Sequence, residues 1–600
     1  MNKKKLLSTV LCGTMLLAAM TGCSQNSAAP SSSNVNQKKT SEASNIKKEE
    51  TKGADKADTK RYEKFITVDV FDSLSNYQGI QSGWFAEIVK EKFNMELNII
   101  APNVAGGGDT LFQTRSAAGE LGDLIITNAN GGRLQDLVTA GLVTDMTELI
   151  KDKKHLQQYT TAIEHLQDLV NEEGVWAIPS DVSAFPATTP SEGLDLTYGP
   201  YVRWDAYKAV GYPQIKTLED LLPVLKQMQE AMPTSDSGQK TYAFSFFKDW
   251  DGNMMNNAKQ PTCLYGYDEL GFVLAKADGA DYQSIIDDDS MYVRVLKLFY
   301  EANQMGLVDP ESTTQNYDIL FKKYQDGAVL YSPWPWLGQS AYNTLENKGV
   351  GKGFMVAPIE DMQIFSYGCN PYGNAAACMM IGSKAEEPER LADFIDWLYS
   401  PEGVLISTSG PEGLTWEEVN GRPELTDFGK KAFFGETAVM PEEWGGGTWR
   451  DGTSQLNFRT VSMIEVNPET GFPYMYTLWD SVLELNATTL DKDWQEHMSA
   501  LTTLEYLESH DAILVAPGSD YATPPEDSKI TTLRGQCKAS IVDYSWKMIF
   551  AKDEAEFNSL LKAMQDTVNG LGYEEVLAVD MQNAKDQNAA RVAALEASQK

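Results

Sequence analysis

The stretch ITVDV at Ile66–Val70, read together with WFAEIVKEKF at Trp84–Phe93, MELNIIA at Met95–Ala101 and GDLIITN at Gly122–Asn128, decides the fold class. The apolar run from Phe65 to Val70 predicts a first strand, and the polar loop DSLSNYQG separates it from a helix near Trp84–Phe93. On that helix Phe85, Ile88, Val89 and Phe93 share one face, with Lys90, Glu91 and Lys92 outside it. MELNIIA predicts a second strand, Gly106–Gly108 a turn, Thr110–Ala118 a second helix and GDLIITN a third strand. Strands alternate with helices, so an α/β architecture with a parallel sheet covered by helices is expected. Ligands of such sheets sit beyond the carboxyl ends of the strands, here the loops 72–81, 103–109 and 127–132.

Outward from this unit, GVWAIP at Gly174–Pro179 predicts a further extended segment, and the irregular Pro/Ser/Thr stretch from Ser180 to Pro200 reads as a crossing between lobes. Helical periodicity restarts at Tyr201–Tyr212. Thr217 is placed to cap a helix over Leu218–Met228, and Pro223 limits where that helix can begin. Tyr242–Phe247 resembles a strand. The clearest helix covers Glu387–Tyr399: Leu391, Phe394, Ile395 and Leu398 fall on one face, Pro388 suits the first turn, and Ser400-Pro401 ends it and opens the next. Amphipathic segments near Leu501–Leu507, Glu554–Met564 and Tyr573–Ala589 make the C-terminal third rich in helix, and no repeat of solenoid period is present.

A second informative stretch is DGAVLYSPWPWLG, Asp326–Gly338. Ala328–Tyr331 predicts a buried strand that runs directly into two tryptophans flanked by Pro333 and Pro335. Each proline fixes its own φ and biases the preceding residue towards extended geometry, so Trp334 and Trp336 are expected outside any helix, beyond the strand end. Rigid aromatic faces there suit the apolar face of a sugar ring; the alternative is a pair of ordinary core tryptophans.

The N-terminus carries a basic Lys3–Lys5 segment, an apolar Leu6–Met20 run too short to span a bilayer comfortably, and the sequence Met20-Thr21-Gly22-Cys23. Residues 1–22 are expected to be a signal peptide, and small residues before Cys23 resemble a lipobox, which implies lipidation of that thiol. An ordinary cleaved signal would instead leave a free protein. Acyl chains anchor at about 0.8 kcal/mol per buried methylene. Residues 23–62 contain hardly a large apolar side chain and read as a disordered tether. The formal net charge of −35, with no compensating basic stripe, disfavours nucleic acid and anionic headgroups as partners. Beyond Cys23 the mature cysteines are Cys263, Cys369, Cys378 and Cys537, too few for a disulfide scaffold. Cys369 and Cys378 are close enough in sequence to bridge, and free buried thiols fit equally.

Catalytic signatures are missing. His155, His165, His497 and His510 form no HExxH or Cys/His pattern, and there is no GxSxG, GxxxxGK or GxGxxG motif. DWDGN at Asp249–Asn253 starts like a calcium loop but has Met254 where the turn needs glycine and Gln260 where the loop needs Glu, so no metal is expected. Glu417/Glu418 beside Trp416 and Glu442/Glu443 beside Trp444 are the carboxylate pairs a glycosidase would need, but adjacent residues point apart. Aromatic side chains recur instead at predicted strand ends and loops, notably Tyr77, Trp84, Trp250, Trp334, Trp336, Tyr372, Trp416, Trp444, Trp449 and Trp479. Interleaved with them are Asp72, Asn128, Asp249, Asp251, Asn370 and Asn374, which can take sugar hydroxyls while rings cover the C–H face.

Several segments together resemble the extracellular solute-binding proteins of carbohydrate ABC transporters, the family-1 type that includes maltose-binding protein and longer Gram-positive lipoproteins. They are GELGDLIITN (Gly119–Asn128), GLVTDMTELI (Gly141–Ile150), GVWAIP, YVRWDAYKAVGYPQIKTLEDLL (Tyr201–Leu222), DGAVLYSPWPWLG, MIGSKAEEPERLADFIDWLYSPEG (Met380–Gly403) and GPEGLTWE (Gly410–Glu417). The resemblance implies a two-lobed periplasmic-binding-protein-like fold of type II topology with the ligand cleft between the lobes and an extended helical C-terminal part. Lobe one would take 63–180 and return at about 372–408; lobe two would take about 195–360 and 409–600. It implies a non-enzymatic monomer, without cofactor, that binds a carbohydrate, delivers it to permease subunits and is held at a membrane through Cys23. Trp334 is the implied stacking residue, with Trp336 packed. Tyr77, Asp72, Asn128, Asp249, Asp251, Tyr372, Asn374 and Trp416 complete the expected ligand set. A surface-anchored glycoside hydrolase and a peptide-binding lipoprotein are the alternatives.

Overall fold

The computed structural model describes residues 62–105, 108–435, 438–485, 487–519 and 521–598. The expected signal peptide, Cys23 and all of the expected tether but Tyr62 lie outside the described residues.

Lobe one is built on a six-stranded sheet: β1 (Ile66–Asp72), β2 (Gly79–Ile80), β3 (Met95–Ile100), β4 (Leu124–Thr127), β5 (Ile178–Ser180) and β6 (Asn374–Ile381), in the order β2-β3-β1-β4-β6-β5. β3, β1 and β4 are parallel, as the alternation of strands and helices predicts. β6 runs antiparallel to both β4 and β5, with Cys378 opposite Thr127 on one side and Pro179 on the other. Period-two alternation feeds two cores: Val68, Val70, Ile126 and Met379 pack on one face, Phe71, Ile125 and Met380 on the other. Helix Trp84–Phe93 covers the first face with Trp84, Phe85, Ile88, Val89 and Phe93, and Asn94 ends it in the left-handed conformation (φ 48°). Helix Pro388–Leu398 joins it, and the next helix opens on Ser400, whose side chain accepts from the Gly403 N–H.

Lobe two has one large core drawn from residues 196–365 and 490–576. Tyr201–Arg203 forms the centre of a three-stranded antiparallel sheet with Tyr331–Ser332 and Phe354–Val356. Ala328, Val329, Leu330 and Tyr331 are buried as expected. Tyr242–Phe247 makes only isolated bridges at Tyr242 and Phe244, and the helix expected from Leu218 begins at Leu221 because residues 218–220 form a turn closed by the Asp220 carboxylate on the N–H groups of Lys216 and Thr217. The C-terminal helices are Ser528–Ile549, Glu554–Gly570 and Tyr573–Ser598.

The segment after 409 departs from the expected assignment to lobe two. A hairpin (Trp416–Val419 with Arg422–Leu425), helix Asp427–Gly435 and the turns after it place Leu414, Ala432, Met440, Trp449 and Leu456 in the lobe-one core. Only from Leu490 does the chain rejoin the lobe-two core. The cause is aromatic: Trp449 stacks on Trp84 at 4.6 Å and 7°, and the Trp84 indole donates to the Trp449 carbonyl (3.1 Å). Backbone meets backbone beside this stack, since a Cβ on Gly83 would sit 2.4 Å from Gly452 Cα.

Where chains pass between the lobes, Ala187, Gly368–Cys369 and Ala516–Gly518 run in backbone contact; a Cβ on Gly368 would lie 2.0 Å from the Ala187 carbonyl oxygen, and one on Gly518 1.9 Å from that of Cys369. Parallel pairing of Ile364–Tyr367 with Ile513–Ala516 continues this crossing into lobe two. Cys263, Cys369, Cys378 and Cys537 are free and buried, so Cys369 and Cys378 are not bridged.

Gly83 also has φ 80°, a conformation that L side chains resist. Gly83→Ala is therefore expected to lower stability by about 2–3 kcal/mol, read as a lower urea midpoint with unchanged slope. An unchanged midpoint would show that the contact between Gly83 and Gly452 yields freely.

Candidate functional site

The carboxyl edge of the lobe-one sheet gathers the ends of β1, β4 and β5, and the antiparallel sense of β6 brings its amino end to the same edge. Asp72, Asn128 and Asn374 consequently share one rim. Asn374 is exposed, its Oδ1 accepts from the Ala376 N–H (2.9 Å), and the small side chains of Ala375, Ala376 and Ala377 leave the rim open. Asp72 is fully buried. Its Oδ1 accepts from the N–H groups of Leu74 (2.8 Å) and Ser75 (3.0 Å), which fixes the loop that follows, while Oδ2 has no partner. Burial pushes its carboxyl up to about 8, only partly opposed by those two donors. The end of this loop brings Asn76 to lobe two, where it accepts from the Trp250 indole N–H (3.3 Å).

Trp250 is the hub of an aromatic group. Tyr317 stacks on it at 5.1 Å, and the rings of Trp336 and Trp334 lie at 5.7 and 6.1 Å. Trp334 and Trp336 stack on each other at 4.6 Å. Trp334 is extended, as Pro335 requires, but Pro335 itself opens helix Pro335–Tyr342 and Trp336 lies in its first turn. A proline at the first helical position loses no hydrogen bond and is preorganised there, so only one of the two tryptophans stays outside a helix. Their orientations reverse the expectation: Trp334 is packed, 4% exposed, and Trp336 is 37% exposed. Beneath Trp334 a cavity of about 20 Å³, bordered by Ser245, Phe246 and Tyr331, has room for a water molecule and none for a sugar ring.

Other expected ligand residues are committed to the fold. Asp251 accepts from the Trp546 indole (2.7 Å) and the Asn256 N–H (2.9 Å), and burial pushes its carboxyl up to about 6. Asp249 accepts from the Tyr317 N–H (2.9 Å) and so sets the start of the helix carrying that ring. Tyr77 donates to the Ile80 carbonyl (2.7 Å) within its own loop, Tyr372 stacks on His165 (4.5 Å), and Trp416 donates to Gly410 (3.0 Å) and meets Trp479 edge-on. Glu417, Glu418, Glu442 and Glu443 are exposed on the surface of the 411–482 segment. Asn76, Tyr317, Phe321 and Arg450 went unread in the sequence. Asn76 stands in the loop already singled out, but nothing local marks Arg450. A recess of about 530 Å³ on lobe one, lined by Tyr62, Lys92, His155, Asp393, Trp397 and Glu402 among others, receives no residue from lobe two. Among the described residues no group of three or more His, Cys, Asp or Glu side chains is placed to hold a metal.

No protein-family model matches this sequence, and no curated protein gives a significant match. Solved structures do share its fold. The alginate-binding protein AlgQ2 superposes with a TM-score of 0.57 at 13% identity, over 87% of this chain and 98% of that one. The Streptococcus pneumoniae ABC-transporter substrate-binding protein FusA, in complex with kestose, gives 0.54 at 14% identity over 87% and 99%. The N-glycan transport solute-binding protein NgtS of the same organism, with Man1GlcNAc, gives 0.50 at 14% over 87% and 100%. The fold is thus the two-lobed α/β fold of carbohydrate solute-binding proteins.

The unpartnered Asp72 oxygen has a consequence for stability. An unfolded aspartate loses its proton near pH 4 and the folded one near pH 8, so between these values the native state holds a proton that the unfolded state has released, and stability falls as pH rises. Asp72→Asn should remove the Asp72 share of this slope, leaving that of Asp251, and exceed the native protein at pH 8 by on the order of a few kcal/mol. Denaturant titrations at pH 5 and pH 8 check it; parallel losses in both proteins would refute it.

Proposed function

We propose that this chain is a solute-binding protein that captures a carbohydrate between its lobes and delivers it to the permease of an ABC importer. One observation carries the reading: the partly exposed Trp336 ring lies beside Trp250 on lobe two, and Trp250 in turn is met by the Asn76 amide from the lobe-one loop that follows Asp72. Rings on one side and amides on the other match the two chemical faces of a sugar. The similar structures, an alginate-binding protein and two solute-binding proteins in complex with kestose and with Man1GlcNAc, support a saccharide of more than one unit. Lipidation of Cys23 and residence on the outer face of the membrane belong to the same proposal, and no helix of the described residues is long and apolar enough to cross a membrane.

The mechanism requires no bond chemistry. A ligand that touches both lobes favours the closed arrangement by the difference between its affinities for closed and open forms, and the permease reads the closed form.

Calorimetric titration against fructo-, manno- and uronate oligosaccharides tests this. Trp336→Ala and Trp250→Ala should each weaken the saccharide that binds by about 10- to 100-fold. Trp334→Ala should instead mainly lower stability, by about 3–5 kcal/mol. Equal affinity in the Trp336 variant would remove that ring from the site, and release of reducing ends from the panel would replace binding with hydrolysis.

A further inference from the structure

The turn from Thr448 to Asn457 is fastened to lobe one on every side. Trp449 stacks on Trp84, and the Phe85 N–H donates to the Gly452 carbonyl (3.0 Å). Gln81 Nε2 donates to the Thr453 carbonyl (2.8 Å), Ser75 Oγ to that of Gln455 (2.7 Å), and Asn457 Nδ2 to that of Leu74 (2.7 Å). The last three bonds also brace the loop after β1. Loop and turn together form one lip at the edge of lobe one.

Two groups on this lip touch lobe two. Asn76 accepts from Trp250, and the guanidinium carbon of Arg450 lies 3.6 Å from the centre of the Phe321 ring. Phe321 follows Tyr317 by one turn on helix Tyr317–Gln325, with ring centroids 6.0 Å apart, and Tyr317 stacks on Trp250. Arg450 therefore lands at the end of the aromatic group assigned to the sugar, on a ring that is itself buried.

We propose that Arg450 is a positioning residue of the cleft: its stack on Phe321 latches the lip of lobe one onto lobe two and holds the lobes closed without ligand. A planar guanidinium over an aromatic face is attractive, more so where water is displaced. The contact exists only when the lobes meet, so it raises the closed fraction, and apparent affinity for a ligand of the closed form scales with that fraction. The effect on affinity rests on the saccharide reading above; the effect on closure does not.

The test uses the full chain with genetically encoded fluorophores at two exposed positions, Glu120 on lobe one and Val350 on lobe two. Without ligand, Arg450→Ala should reduce the closed fraction about 3- to 10-fold and shift the distance distribution outward. Arg450→Lys, which keeps the charge but loses the planar stack, should open the lobes as well, and Phe321→Leu should match Arg450→Ala. An unchanged distribution in Arg450→Ala overturns the latch. With a saccharide that binds, both single variants should lose affinity by the same factor and the double variant no more. Lost affinity in Arg450→Ala beside native affinity in Phe321→Leu would make Arg450 a ligand contact and overturn the latch. Should no saccharide bind, only the cleft assignment fails, and the ligand-free distances still decide.

Discussion

The lobe-one sheet is incomplete until the chain returns. β5 pairs only with β6, and β6 fills the slot between β4 and β5, so the strand leaving for lobe two and the strand coming back are adjacent in one sheet. Everything between Ser180 and Asn374 is built inside that interruption. Two lobes follow from this constraint, and so does the position of the rim, because an antiparallel β6 must present its amino end, Asn374 onwards, beside the carboxyl ends of β1 and β4. Long-range pairing of this kind carries a loop-closure cost that the buried run Cys378–Ile381 offsets with side chains on both sheet faces.

The same logic separates what was legible in the sequence from what was not. Helices Trp84–Phe93 and Pro388–Leu398 and strands β1, β3 and β4 were readable because each pattern of apolar side chains has one period and one buried face. Helix Ser528–Ile549 was missed, since its buried side chains, Cys537, Ile541, Ser545, Trp546, Met548 and Ile549, begin only at Cys537 and the turns before it bury none. Placement of 411–482 could not be read locally. Short elements joined by turns reveal what is buried, but whether Trp449 meets a ring of lobe one or of lobe two depends on a partner some 365 residues away. The tryptophan pair failed for a more specific reason: Pro333 and Pro335 were given one meaning, whereas a proline that opens a helix and one that precedes it turn their neighbours in opposite directions. The ring left partly exposed is Trp336, and Trp334 is the packed one.

On the lobe-two side the crossings are tied down by buried polar side chains. Tyr198 and Tyr367, from two different crossings, share a hydroxyl contact of 3.2 Å, Tyr367 donates to Asp268 (2.7 Å), and Asp268 pairs with the buried Lys259 at 2.6 Å. Burial alone would neutralise both charges; instead each stabilises the other, keeping Lys259 protonated and Asp268 ionised. Removing one partner of such a pair strands a buried charge at a cost of about 3–5 kcal/mol, so the pair fixes this end of the crossing. Glu192, bonded to Ser366 of the neighbouring crossing, adds a second tie in the same place.

Further along, towards lobe one, the crossing is held again by charged side chains: Arg459 pairs with Asp181, and Glu465 accepts from the Ser183 hydroxyl and the Ala184 N–H (2.9 Å). Between these two sets of ties the crossings meet as backbone, Gly368 against Ala187 and Gly518 against Cys369, and Gly373 holds φ 70° beside the Ser180 carbonyl. The lip of lobe one and the aromatic group of lobe two meet through Asn76 on Trp250 and Arg450 on Phe321, and the 411–482 segment, which supplies half of the lip, is what gives lobe one the reach for the second of these contacts.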